Sequence, residues 1–239
     1  AFGGIQALQQ VDFRLQTNQV HALVGKNGAG KSTLMKILMG VHPPDTGQIY
    51  LHDQPVTINN PQSAHQLGIS IVYQEFSLIP TLTVAENVYL GRLPHRGSSP
   101  LVDWDLLSRQ TRAVLSRVDS SIDSRELVSN LSIAQQQVVE IAKALSTNPQ
   151  ILIMDEPTSA LTDQEVNHLF EMIRTLREQQ VGIIYISHRL AEIEQIADYV
   201  TVLRDGCTVG EGPIEDLPHQ QIVHLMVGSN LESVAREHH

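Results

Sequence analysis

Apolar residues along this chain switch repeatedly between short continuous runs and helical spacing, and the switches mark its elements. Val11, Phe13 and Leu15 alternate with polar residues and predict a half-buried strand. His21-Ala22-Leu23-Val24 is a strand-sized apolar run that ends at Gly25. Beyond the loop 25–30, Leu34, Ile37 and Leu38 have helical spacing, and Gly40 stops that helix. A turn-dense segment, His42-Pro43-Pro44-Asp45-Thr46-Gly47, leads into a strand at 48–51. From Thr81 to about Ser146 the pattern is mainly helical, with Leu107, Val114, Leu115 and Val118 on one face and an exposed loop at 94–100. Strand-like runs return at 150–154, 182–186 and 199–204. Thr162-Asp163-Gln164-Glu165 reads as a capping box ahead of the helical face Leu169, Ile173 and Leu176, and 189–197 reads as a further helix.

Short apolar strands alternating with helices predict an α/β fold with a mostly parallel sheet covered on both faces. The helical block interrupts the sheet in sequence and is expected as a subdomain on one edge. The expected organisation is one domain, with an α/β core at 1–80 and 148–239 and helices at about 81–147. With 239 residues, 41% hydrophobic and 18% charged, the chain reads as globular. Sixteen Lys+Arg against 26 Asp+Glu give a formal charge of −10, which argues against a protein that grips nucleic-acid backbone. One cysteine, Cys207, excludes a disulfide framework or a thiolate zinc cluster. No apolar run approaches the ~20 residues that span a bilayer, and the start lacks a signal-peptide pattern. A soluble, cytosolic chain is expected.

Gly25-Lys26-Asn27-Gly28-Ala29-Gly30-Lys31-Ser32 fits G-x-x-x-x-G-K-[ST], follows an apolar strand and opens a helix. The glycines let successive backbone N–H groups converge on phosphate oxygens, and Lys31 adds a point charge. Ser32 can offer its hydroxyl to Mg²⁺, and the helix that carries it and Thr33 points its positive end at the phosphates. A dinucleotide fingerprint fails here because the last glycine is missing. Ile151-Leu152-Ile153-Met154-Asp155-Glu156 is a buried strand delivering two carboxylates at its C-terminal end, where open α/β sheets place ligands. Successive side chains alternate, so Asp155 suits the Mg²⁺ shell and Glu156 suits an attacking water. Ser132 and Gln135, in Leu131-Ser132-Ile133-Ala134-Gln135, form a capping box at a helix start, which is also a ready anion site. Taken alone, Gln74 reads as a strand-end amide and His188 as a solvated strand-end histidine. The terminal His238-His239 pair reads as the remnant of a purification tag.

The order of phosphate loop, Gln74, the Leu131–Gln135 segment, Asp155-Glu156 and His188 resembles the ATPase domain of ATP-binding-cassette transporters, across essentially the whole chain. That resemblance implies a P-loop ATPase fold with a small antiparallel β subdomain, and ATP and Mg²⁺ as ligands. It implies that Phe2 stacks on adenine, that Gln74 touches the Mg²⁺ and relays nucleotide state, and that His188 contacts the γ-phosphate. It further implies that Glu156 is the general base or a water-positioning carboxylate, and that Ser132 with its neighbours reaches the nucleotide of a second cassette in a head-to-tail dimer. The implied partners are transmembrane permease subunits and, indirectly, a solute-binding protein, which places the chain at the cytoplasmic face of the membrane.

Val72-Tyr73-Gln74-Glu75, Leu82-Thr83-Val84-Ala85-Glu86-Asn87 and Gln135–Leu145 are similar to one branch, the ATPases of bacterial monosaccharide importers. That branch fuses two cassettes in one chain, and the resemblance is to the N-terminal one; its usual first strand is missing before Phe2. Ile133 and Ala134 replace the two glycines of the common signature, and Thr162 stands where many members carry Asp. An exporter cassette or a regulatory nucleotide-binding module is the alternative. A chromosome-organising or repair ATPase is disfavoured, because roughly 100 residues without sustained heptads separate Lys31 from Ser132.

Overall fold

Strands that are covered on both faces need apolar side chains in both directions, and the central strands have them. In the computed structural model, which describes residues 6–97, 99–119 and 121–228, every residue of β1 (Val20–Val24) is buried. In chain order there follow α1 (Lys31–Leu38), the hairpin β2 (Ile49–Leu51) and β3 (Gln54–Val56), α2 (Pro61–Gln66) and β4 (Ile69–Val72). The helices α3 (Val84–Val88), α4 (Trp104–Leu115) and α5 (Ile133–Leu145) come next. The chain then alternates through β5 (Ile151–Asp155), α6 (Asp163–Glu178), β6 (Gly182–Ile186), α7 (Leu190–Ile196) and β7 (Tyr199–Arg204). The last described elements are β8 (Cys207–Pro213) and α8 (His219–Val227).

The main sheet has the order β4-β5-β6-β1-β7-β8. The first five strands run parallel, and β8 closes the edge antiparallel to β7. β2 and β3 form a separate antiparallel pair. The expected α/β fold, mostly parallel with a small antiparallel element, is therefore present. Alternation along β1 divides the core. Val20, Ala22 and Val24 join Leu152, Met154, Ile183 and Tyr185 beneath α5, α6, α7 and α8. Leu23, Ile153, Ile184 and Ile186 face Met35 of α1 and Ala64 of α2 on the opposite side.

At the β4 edge, α3, α4 and α5 pack on one another, and α5 also packs on β4. Leu107 and Leu115 are buried, as the helical face through them predicts. α5 starts at a true capping box: Gln135 N–H donates to Ser132 Oγ at 3.3 Å and Ser132 N–H to Gln135 Oε1 at 2.9 Å. One turn from the helix end, buried Glu140 accepts from the backbone N–H and hydroxyl of Ser77, and Lys143 donates to the same hydroxyl at 2.8 Å. The segment that follows Gln74 is thereby fastened to α5.

One expected strand is absent. Residues 11–15 join no ladder; Val11, Phe13 and Leu15 lie half-buried against the α1 side of the core. The nearby backbone makes scattered bonds instead: Gln9 N–H to Gly206 O of the β7–β8 turn at 2.6 Å, Asp12 O to the Thr208 hydroxyl of β8 at 3.4 Å, and Arg14 O to the His21 ring at 2.7 Å. Alternation announces a face to bury, and these side chains bury it without strand pairing. Phe2 and His238-His239 lie outside the described residues.

Candidate functional site

β1 delivers the chain to a tight loop because Gly25 has no side chain: a Cβ there would lie 2.4 Å from the Leu203 carbonyl oxygen of β7. The loop ends at Gly30, whose φ of 110° belongs to the left-handed region that glycine adopts freely. Gly30 also caps α1 without any side-chain hydrogen bond. The first N–H groups of α1 therefore have no side chain covering them, and an uncapped helix start attracts anions. Lys31 is 8% exposed, and its ammonium donates to the carbonyls of Gly25 at 2.6 Å and Lys26 at 3.1 Å. Burial lowers the Lys31 pKa, with the carboxylates of Glu156 and Asp155 pulling it back up.

The acidic pair arrives from the neighbouring half of the sheet. Asp155 ends β5 in register with Ile186. Burial raises its pKa and the Glu156 charge raises it further, while Lys31 opposes both. Glu156 leaves the strand with φ 47°, a left-handed conformation uncommon for a non-glycine residue, held by its N–H on the Ile186 carbonyl at 2.9 Å. One carboxylate oxygen of Glu156 lies 2.9 Å from His188 Nδ1, and His188 stands on the loop after β6 with 60% of its side chain exposed.

A cavity of about 310 Å³ is lined by Ala7, Asn27, Gly28, Gly30, Lys31, Ser32, Thr33, Gln74, Asp155 and Glu156. The structure thus brings most of the expected residues to one place, with His188 reaching it through Glu156. Gly25 and Lys26 serve it from behind, through the carbonyls that hold Lys31. Ser132 and Gln135 do not join it; they occupy the exposed start of α5, where the Ser132 oxygen caps the helix. Ala7 was not anticipated, and nothing in the pattern around it marks it. Chemically the cavity offers backbone donors, one cation, two small hydroxyls, two amides and two carboxylates. That set suits a polyphosphate with a hard cation. Among the described residues no group of three His, Cys, Asp or Glu side chains is arranged to hold a metal ion by itself. A larger cleft of about 550 Å³ between the start of α3 and α4 carries no such loop.

The family described as ABC transporter matches residues 8–159, a stretch that contains the loop, Gln74, the α5 cap and both carboxylates. The chain belongs to the ABC transporter family. It is 48% identical over 236 residues, 99% of its length, to a putative ribose/galactose/methyl galactoside import ATP-binding protein of Albidiferax ferrireducens. It is 47% identical over the same length to a ribose import ATP-binding protein of Rhodopirellula baltica. The match covers 47% and 46% of those two relatives, so the chain spans about half the length of the proteins it resembles. Among solved structures, a nucleotide-free ATP-binding cassette from an ABC transporter superposes with TM-score 0.81 at 25% identity, covering 98% of this chain and 94% of that one. Another ATP-binding cassette structure gives TM-score 0.83 at 26% identity, covering 95% of each chain. The P-loop ABC ATPase fold expected from the motifs is the fold observed. No helix among the described residues is long and apolar enough to cross a membrane.

Proposed function

We propose that this chain binds ATP with Mg²⁺, hydrolyses the terminal phosphate bond, and thereby energises uptake of a monosaccharide through a membrane permease. The observation that carries this reading is the convergence of Lys31, Ser32, Gln74, Asp155 and Glu156 on one cavity at the uncapped start of α1. Similarity to ribose- and galactose-import relatives supports the sugar.

Lys31 exchanges its loop carbonyls for phosphate oxygens, a swap favoured by its buried charge. The α1 amides and those of the loop neutralise the polyphosphate and hold it in line. Ser32, Asp155 and Gln74 are the residues that would hold Mg²⁺, which when bound supplies charge neutralisation at the phosphates. Glu156 accepts a hydrogen bond from the attacking water and turns it toward the terminal phosphorus, and His188 contacts the terminal phosphate and steadies that carboxylate. Phosphoryl transfer asks for positioning and charge compensation, which these groups provide.

Ser132 and Gln135 serve a different nucleotide. The exposed start of α5 meets the phosphate held by a second cassette in a head-to-tail pair, fused or separate. Helices α3 to α5 act as a helical subdomain that passes nucleotide state to the permease, through Gln74 and the Ser77–Glu140 clasp. The protein works at the cytoplasmic face of the membrane, held there by permease subunits, with a solute-binding protein upstream and no nucleic acid involved. The test is steady-state turnover and calorimetric MgATP binding by the full chain. Glu156→Gln retains binding and loses turnover by about 10²-fold or more, whereas Lys31→Ala loses binding itself. Wild-type hydrolysis by Glu156→Gln would remove Glu156 from its role, and unchanged affinity in Lys31→Ala would remove the cradle. Loss of labelled ribose or galactose uptake on deleting the chain tests the sugar.

A further inference from the structure

Behind the Glu156–His188 contact lies a second carboxylate that the reading above does not use. Glu192, in the first turn of α7, is 5% exposed. Its two oxygens accept from the Thr158 hydroxyl at 2.9 and 2.8 Å, the Tyr185 hydroxyl at 2.9 Å and the Ser187 hydroxyl at 3.0 Å. Arg189 adds its guanidinium at 2.7 Å. Thr158, Tyr185 and Ser187 are all at most 2% exposed. A buried carboxylate is costly unless each lone pair is met, and this one is met by three hydroxyls and a cation.

The donors come from both halves of the site. Thr158 follows Glu156 by two residues, and Ser187 immediately precedes His188. Since a carboxylate only accepts, the three hydroxyl protons are committed to Glu192. That leaves the Ser187 oxygen free to accept the Arg189 N–H at 3.0 Å, which pins the backbone on both sides of His188. Burial, and then the Glu192 charge, raise the Tyr185 pKa, so its hydroxyl stays a donor at every working pH.

We propose that Glu192 is a positioning residue for hydrolysis: by gripping Thr158 and Ser187 together, it holds the Glu156 and His188 segments in register so that carboxylate and imidazole meet at the terminal phosphate. This rests on the roles given above to Glu156 and His188. Glu192→Gln is close to isosteric, yet it removes the charge and leaves one acceptor oxygen: an NH₂ at the Oε2 position faces the Thr158, Tyr185 and Ser187 hydroxyls, and at the Oε1 position it faces Arg189 and one arm of the Thr158 bond, so the grip on the two segments loosens in either orientation.

The experiment measures single-turnover hydrolysis, KM for MgATP, nucleotide affinity and unfolding temperature in the full chain. It compares Glu192→Gln, Thr158→Val and Thr158→Ser, each with His188 intact and in a His188→Ala background. A misplacement at the site costs ten- to a hundredfold in rate. Glu192→Gln and Thr158→Val are expected to lose at least tenfold in rate while KM and affinity stay within about twofold, and Thr158→Ser to recover most of the loss. In the His188→Ala background the Glu192→Gln loss should shrink to less than about twofold, because the damage runs through the same pair. A wild-type rate in Glu192→Gln overturns the proposal, as does an undiminished loss in the His188→Ala background or a loss seen only as weaker binding. Where Glu192→Gln does not fold, or turnover of the double variant is below detection, the valine and serine variants at Thr158 decide, and equal rates in both overturn it. Glu156→Gln, run alongside, separates the two failures: if it hydrolyses normally, the underlying reading falls whatever Glu192 does.

Discussion

His21 lies on β1, one strand-length ahead of the phosphate loop, with no part of it exposed. Its Nδ1 is 2.7 Å from the Arg14 carbonyl oxygen, which can only accept, so Nδ1 carries the proton. Nε2, 2.8 Å from the Thr201 hydroxyl, is then the acceptor. Phe13 stacks on the ring with centroids 4.3 Å apart, and Tyr199 meets it edge-on at 4.9 Å. A second proton would place a charge in this apolar site. Burial accordingly lowers the pKa from 6.5 to about 4, with the Arg14 carbonyl opposing only in part.

The consequence for stability has a definite sign. Unfolded, the imidazole takes up its second proton near pH 6.5; folded, it resists until about 4. Between those values the unfolded state binds more protons, so folding stability rises with pH across that window. Acidification below about 6.5 begins the loss, and below about 4 the loss is complete. The gap of about 2.5 pH units, at ~1.4 kcal/mol each, amounts to about 3 kcal/mol. The assay is urea unfolding of the wild type and His21→Gln at intervals from pH 7.5 to 4. Carboxylates titrate in both proteins, so the difference between the two curves isolates the histidine. The wild type should lose about 3 kcal/mol more than the variant over this range. Parallel curves would refute the reasoning.

Gly30→Ala combines a φ of 110° with a Cβ 2.5 Å from Leu8 Cδ2 and 3.1 Å from the Ala7 carbonyl oxygen. A left-handed strain of about 1–3 kcal/mol follows, read as a lower unfolding temperature together with weaker ATP binding by calorimetry; a variant with normal affinity would contradict the loop geometry. Asp155→Asn removes a carboxylate that burial and Glu156 both disfavour. Without nucleotide it should unfold at the wild-type temperature or above it, while the Mg²⁺-dependent gain in ATP affinity disappears; retained Mg²⁺ dependence would take Asp155 out of the metal's reach.

The parts of this molecule that were legible in its sequence share a physical property: each imposes its requirement on the backbone. A loop this tight needs glycine at Gly25 and Gly30, and the requirement survives as spacing. Strands covered on both faces need uninterrupted apolar runs, so β1, β5 and β6 could be located, and the two acids at the end of β5 stood out against them. Helix caps are local, and Ser132-Gln135 announces one directly. The expected strand at 11–15 failed for the complementary reason, since alternation describes a face and carries no information about a pairing partner. Glu192 was invisible on the same grounds: its donors come from Thr158, Tyr185 and Ser187, which converge only after β5, β6 and α7 have packed. The Glu140–Ser77 clasp likewise joins a loop to a helix far along the chain. A site whose geometry depends on side chains meeting across elements leaves no period to find, and its members look like ordinary polar residues until the fold assembles them. Here the groups that line the cavity were therefore readable one by one, whereas the groups that set their mutual orientation were not.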